Sequence, residues 1–236
     1  MEKQGENNME EQPKNNIECN YTDNPIEQAG MAAADSIIDH LDKDERVLLL
    51  LTGGSGLAIA NHICDQLKSI KKNNLYVSVT DERYGDVGHK DENWQQLLNN
   101  GFNLPGANLY RPLNGKSRNK ATTDFSNWLT EQIYKADYKI ALFGFGTDGH
   151  TAGVKPHTEA VDSPNFADSF TGEDFERITM TPKAISLLDE AIIQASGIAK
   201  IPVLSSLMNE TIDIHDQPVQ VLKSVPVVKL FTNNNI

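Results

Sequence analysis

Residues 47–70, VLLLLTGGSGLAIANHICDQLKSI, decide the fold. The run from Val47 to Leu51 is apolar at every position, with no alternation. That pattern fits a strand covered on both faces, as in a parallel sheet. Residues 52–56 form a glycine turn. Residues 57–70 then put Leu57, Ala60, Ile63, Cys64 and Leu67 on one face at helical spacing. Strand, glycine turn and helix in that order make one unit of an α/β protein. The amides and hydroxyls of Thr52, Gly53, Gly54 and Ser55 are suited to cradle a phosphate at the helix N-terminus. The segment is not a P-loop, which needs G-x-x-x-x-G-K-[ST]. Nor is it a nucleophile elbow, because Leu57 stands where the last glycine belongs. In isolation, a glycine turn with a serine cap is an equally good reading.

Outward from this unit, strands and helices alternate. A helix begins at Asn24, with Ile26, Ala29, Ala32, Ala33, Ile37 and Leu41 at three- and four-residue intervals. Strands are expected at 75–79, 138–143, 177–180, 190–195 and 227–231, and helices at 94–99, 120–135, 182–188 and 198–208. The expectation is a doubly wound, mainly parallel Rossmann-like α/β sheet with helices on both faces. Residues 25–236 are read as one domain. Residues 1–24, rich in Glu, Asn, Gln and Lys, are read as a flexible tail. In such sheets ligands bind beyond the carboxyl ends of the strands.

The 236 residues carry a formal net charge of −12. No Lys/Arg-rich stripe is present, which argues against nucleic acid as a partner. An anionic ligand would need a local positive pocket in so acidic a chain. Cys19 and Cys64 form no framework, as expected in a reducing compartment. No apolar run approaches the ~18–20 residues of a membrane span, and the N-terminus has no signal-peptide core. A cytoplasmic protein without a membrane partner is expected. The oligomeric state stays open, with a monomer favoured.

Residues 144–156, GFGTDGHTAGVKP, carry the chemistry. The turn delivers Asp148 and His150 together at the end of a buried strand. Histidine titrates nearest neutrality and is the natural proton carrier, and a carboxylate two residues away can orient it. Gly144, Gly146 and Gly149 match the dinucleotide-binding spacing, but Pro156 follows where that motif needs a helix. Asp81, Glu82 and Arg83 follow a second strand. Arg177 and Lys200 stand near other element ends. Taken singly, residues of this kind are more often surface charges than ligand contacts. His40, His62, His89, His157 and His215 show no metal-ligand spacing.

Set in order, these segments resemble the 6-phosphogluconolactonase family of the glucosamine-6-phosphate isomerase/6-phosphogluconolactonase superfamily. Its pattern is a strand with S-G-G-S, a strand with D-E-R and a nearby Asn, then G-x-G-x-D-G-H-T-A-S-L-F-P, R-x-T-x-T and a G-x-x-K helix start. This chain has TGGS at 52–55, DER at 81–83 with Asn93 ten residues on, and Gly144 to Ala152 with Pro156 in step. RITMT at 177–181 and GIAK at 197–200 complete the series. The resemblance spans roughly residues 25–232. Gly153, Val154 and Lys155 depart from Ser-Leu-Phe, and Gly56-Leu57 from Thr-Pro.

The resemblance implies hydrolysis of 6-phospho-D-glucono-1,5-lactone, a step of the oxidative pentose phosphate pathway, with no cofactor and no metal. His150 would be the general base and Asp148 its orienting partner or a contact to a sugar hydroxyl. Arg83 or turn amides would stabilise the oxyanion. Gly53, Gly54, Ser55, Arg177 and Lys200 would hold the phosphate, with Asp81, Asn93 and Gly146 completing the substrate pocket. Lys155, a departure from the pattern, puts a cation close to the site, to be read either as an added substrate contact or as the mark of an altered specificity. Two other readings use the same pocket. An amino-sugar isomerase or deaminase would need a glutamate where Lys155 stands. A non-enzymatic sugar-phosphate sensor would have no use for Asp148 and His150.

Overall fold

The computed structural model describes residues 16–234. In chain order the elements are β1 (Ile17–Tyr21), α1 (Pro25–Leu41), β2 (Val47–Leu51), α2 (Gly56–Gln66), β3 (Leu75–Val79) and β4 (Asp81–Arg83). Then come α3 (Asn93–Asn99), β5 (Asn108–Leu109), α4 (Arg118–Lys135), β6 (Tyr138–Phe143), β7 (Ala167–Thr171) and β8 (Glu176–Met180). The chain closes with α5 (Pro182–Ile185), β9 (Glu190–Gln194), α6 (Ile201–Asn209) and β10 (Val227–Thr232).

Seven strands form one sheet in the order β1-β10-β9-β6-β2-β3-β5, every pairing parallel. The order runs outward from the centre in two directions, β2 to β3 and β5 on one side, β6 to β9 and β10 on the other. It reverses between β2 and β6. Parallel strands need covered faces, and β2 shows how that is met. Leu48 and Leu50 point to one face, with Phe125, Leu129 and Ile133 of α4 and Leu204 of α6. Val47, Leu49 and Leu51 point to the other, with Ala33 and Ile37 of α1, Ile63 of α2 and Trp94 of α3. All five β2 side chains are fully buried, which is why the run does not alternate. The fold is a doubly wound α/β sheet.

Besides the two-residue edge strand β5, which pairs with β3 and has no pattern of its own, two parts of the fold differ from the sequence reading. First, Ile17–Tyr21 lies within the segment read as a tail, yet it is an edge strand, pairing from Ile17 with Val228 to Tyr21 with Thr232. An edge strand needs one partner and little apolar content, and here only Ile17 is buried. Composition therefore hid it. Residues 1–15 of that proposed tail lie outside the described residues. Second, residues 81–83 are not merely the polar end of a strand. They form β4, which pairs with β8 in a three-stranded antiparallel sheet, β4-β8-β7. Strand β7, ADSFT, is too polar to stand out by pattern. Among the described residues no helix is long and apolar enough to cross a membrane.

Phe125 is among the largest fully buried side chains and joins α4 to the sheet. Phe125→Ala is expected to cost about 3–5 kcal/mol. The check is a fall in the urea midpoint with an unchanged slope; a fall worth under 1 kcal/mol would place Phe125 outside the load on the sheet.

Candidate active site

Because β2 and β6 are neighbours, their glycine turns emerge side by side at the carboxyl edge, where the strand order reverses. This is where ligands bind in such sheets. The small sheet folds over the same edge, placing Arg83 opposite Arg177 in register. The result is a cavity of about 350 Å³, lined among others by Gly53, Gly54, Ser55, Asp81, Arg83, Asn93, Gly146, His150, Arg177 and Lys200. Ten of the twelve residues singled out from sequence thus share one wall.

The turn after β6 is built around its acid–imidazole pair. Gly146 N–H donates to the His150 carbonyl (2.9 Å), and the Thr151 hydroxyl to the Gly144 carbonyl (2.8 Å). The His150 ring Nδ1 lies 2.6 Å from Asp148 Oδ1. A carboxylate at that distance fixes the proton on Nδ1 and leaves Nε2 as an acceptor. Burial works against ionisation of Asp148, but hydrogen bonds from the His150 amide and ring outweigh it and hold the carboxyl below its ordinary range. Asp148 does not line the cavity; it backs the imidazole that does.

Gly146 is the residue that makes the pair possible. A Cβ there would lie 2.2 Å from His150 Nδ1 and 2.3 Å from Asp148 Oδ1. Gly53 plays the same part on the neighbouring turn, where a Cβ would lie 2.5 Å from Asn93 Oδ1. Asn93 in turn donates from Nδ2 to the Asp81 carbonyl (2.9 Å). The glycine turn, the start of β4 and the start of α3 are therefore laced together. Among the described residues the Gly53, Gly54 and Ser55 amides have no backbone acceptor, which leaves them available to an anion.

Glu82 sets α3 in place and faces away from the cavity wall. Its carboxyl accepts from the amides of Arg83 (2.8 Å), Asn93 (2.6 Å) and Trp94 (3.0 Å). Burial pushes it up to about 8 despite those bonds. A buried acid at that position is spent on positioning Asn93 rather than on a ligand.

The cations are held at different depths. Lys200 donates to the Phe145 carbonyl, and burial lowers its pKa. Arg83 stacks over the Phe175 ring at 4.7 Å, and Arg177 lies 5.6 Å from the same ring. The Nε atoms of both arginines are buried without a hydrogen-bond partner. Lys155 lies off the cavity wall, 3.2 Å from Asp174. Asp174 itself does line the cavity and was missed from sequence. The one available signal was an acid three residues before Arg177, in a turn with no motif of its own.

The family described as glucosamine-6-phosphate isomerases/6-phosphogluconolactonase matches residues 22–229. A 6-phosphogluconolactonase of Xylella fastidiosa is 26% identical over 231 residues, covering 89% of this chain and 92% of that relative. One from Helicobacter pylori is 26% identical over 179 residues, 72% and 76% of the two chains. Among solved structures, a 6-phosphogluconolactonase from Shewanella baltica superposes with a TM-score of 0.77 at 18% identity, over 93% of this chain and 98% of the other. A monomeric glucosamine-6-phosphate deaminase gives 0.74 at 18%, over 92% and 96%. These superpositions establish a common fold.

Gly146→Ala is expected to separate Asp148 from His150 without unfolding the sheet. The Asp148 carboxyl titration, followed by NMR, should then rise toward the ordinary carboxylate range. A titration unmoved by the substitution would contradict the packing described.

Proposed function

The chain belongs to the glucosamine-6-phosphate isomerase/6-phosphogluconolactonase family, and from that premise we propose that it is a 6-phosphogluconolactonase. The reaction is hydrolysis of 6-phospho-D-glucono-1,5-lactone to 6-phosphogluconate. The observation that carries this reading is the Asp148–His150 pair, with Nδ1 tied to the carboxylate and the imidazole lining a cavity that also holds Arg83, Arg177 and Lys200.

A lactone is an activated ester, so no covalent nucleophile is required. Water attacks C1 while His150 Nε2 takes its proton, and Asp148 stabilises the imidazolium that forms. Negative charge builds on the former carbonyl oxygen, where the turn amides or Arg83 meet it. The C1 to ring-oxygen bond then breaks, and the imidazolium returns its proton to that oxygen. The Gly53 and Gly54 amides, the Ser55 hydroxyl, Arg177 and Lys200 hold the phosphate, and that remote binding positions the ring for attack. Asp81 and Asn93 complete the wall.

The fold does not choose between lactonase and deaminase, since both superpose on it. The choice rests on the residue pattern, in which Arg83, Thr151 and Lys155 stand where the isomerases carry Tyr, Ile and Glu. Curated relatives such as those of Xylella fastidiosa and Helicobacter pylori, named 6-phosphogluconolactonases, support the same choice.

His150→Ala is expected to lower kcat by ~10²–10⁴ while phosphosugar binding persists. Lys200→Ala should mainly raise KM through lost phosphate contact. The two variants assayed on freshly generated lactone provide the check. Turnover largely intact in His150→Ala would remove it as the base, and an unchanged KM would remove Lys200 from the phosphate site.

A further inference from the structure

Asp174 lies in the wall of a cavity that also holds the acid Asp81 and the three cations Arg83, Arg177 and Lys200. It is held by two cations at once. Its Oδ2 accepts from Arg177 Nη2 at 2.6 Å, and its Oδ1 lies 3.2 Å from Lys155 Nζ. Burial opposes ionisation, but Lys155 and Arg177 hold the carboxyl at about 2. It is therefore ionised at neutral pH.

Arg177 is poorly satisfied apart from this bond. It is 8% exposed, its Nε has no partner, and its Nη1 lies 3.9 Å from Asp81 Oδ2. A guanidinium presents five donors and binds best to a ligand with several acceptor oxygens. Asp174 is more exposed than the arginine it pairs with. It sits in the tight turn between β7 and β8, closed by the Gly172 amide donating to the Phe175 carbonyl (2.9 Å), and its side chain is 43% exposed.

We propose that Asp174 is a specificity-determining carboxylate: it occupies Arg177 in the unliganded protein and yields it to a dianionic phosphate ester, retreating onto Lys155. The inference rests on the reading that Arg177 faces the substrate phosphate. A side-chain rotation suffices, because Oδ1 keeps its cation while Oδ2 lets go. Lys155 lowers the cost of release by giving the freed carboxylate a partner. A neutral sugar lactone carries nothing that can displace a carboxylate from a guanidinium, whereas a dianion with three acceptor oxygens can. Lys155, a departure from the lactonase pattern, thus acts through Asp174 and not by touching the ligand.

The test is calorimetric binding of inorganic phosphate at pH 8 and low ionic strength to the wild type, Asp174→Asn, Lys155→Met and the double variant. Asp174→Asn should bind phosphate about fivefold more tightly, and Lys155→Met about threefold more weakly, the scale of partly exposed charge pairs. The double variant should match Asp174→Asn, since Lys155 has no role once the carboxylate is gone. Weaker binding by Asp174→Asn would mean that Asp174 positions Arg177, and would overturn the proposal. So would a Lys155→Met effect that persists in the double variant, because Lys155 would then meet the anion itself. Absence of phosphate binding in both the wild type and Asp174→Asn overturns it too, whatever the lactone assay shows. Should Asp174→Asn fail to fold, Asp174→Ser supplies the same arm. Phosphate binding is read without turnover, so a failed lactonase reading and a failed Asp174 reading give different results.

Discussion

The parallel pairing of β2 with β6, from Val47 with Tyr138 to Leu50 with Ala141, is the constraint on which the site depends. The chain winds outward from this pair in opposite directions, so no helix crosses between their carboxyl ends. The crevice left there is filled by two glycine turns. One ends in free amides at the start of α2, and the other in an imidazole locked to a carboxylate. Neither turn tolerates a side chain at its contact point, because the space at Gly53 belongs to Asn93 and that at Gly146 to the Asp148–His150 pair. Backbone economy at these two positions converts a folding topology into a chemical site.

The small antiparallel sheet adds the charge. Pairing β4 with β8 sets Arg83 directly opposite Arg177, and like charges facing each other across strands destabilise a sheet. The Phe175 ring beneath both guanidinium groups, Asp174 and Asp81 offset part of that repulsion. Two buried Nε–H groups still lack acceptors. A protein of net charge −12 thus gathers three cations, Arg83, Arg177 and Lys200, against two carboxylates, Asp81 and Asp174, around one cavity. Unpaired buried donors are the kind of local rule-breaking expected at a functional site.

The central sheet was legible because burial on both faces leaves an unmistakable signature. Val47–Leu51 and Tyr138–Phe143 are found with the bounds that pattern implied. The glycine motifs were legible for a related reason, since close approach of backbone to side chain admits no other residue. Gly153 makes the same point from the side of a departure. Its φ of +75° and a Cβ position 2.8 Å from Asp81 Oδ2 leave no comfortable place for a serine. What was hidden depended on long-range pairing. Strand β1 is polar because it is an edge, β7 is polar because it flanks a surface turn, and Asp174 gains its meaning from Arg177 and from Lys155 nineteen residues away. Lys155 itself was assigned to the substrate pocket for its proximity in sequence to His150, and it lies behind Asp174 because the cavity wall is completed by the β7–β8 turn.

The central claim is that this site accelerates attack of water on a phosphorylated sugar lactone. Its most direct test is acid release from freshly generated 6-phospho-D-glucono-1,5-lactone by the wild-type protein, measured against spontaneous hydrolysis in the same buffer. The account predicts saturable acceleration well above background, suppressed by inorganic phosphate competing for the cationic pocket. Hydrolysis at the spontaneous rate, with phosphosugar still bound, would contradict it and leave a binding protein on a hydrolase scaffold.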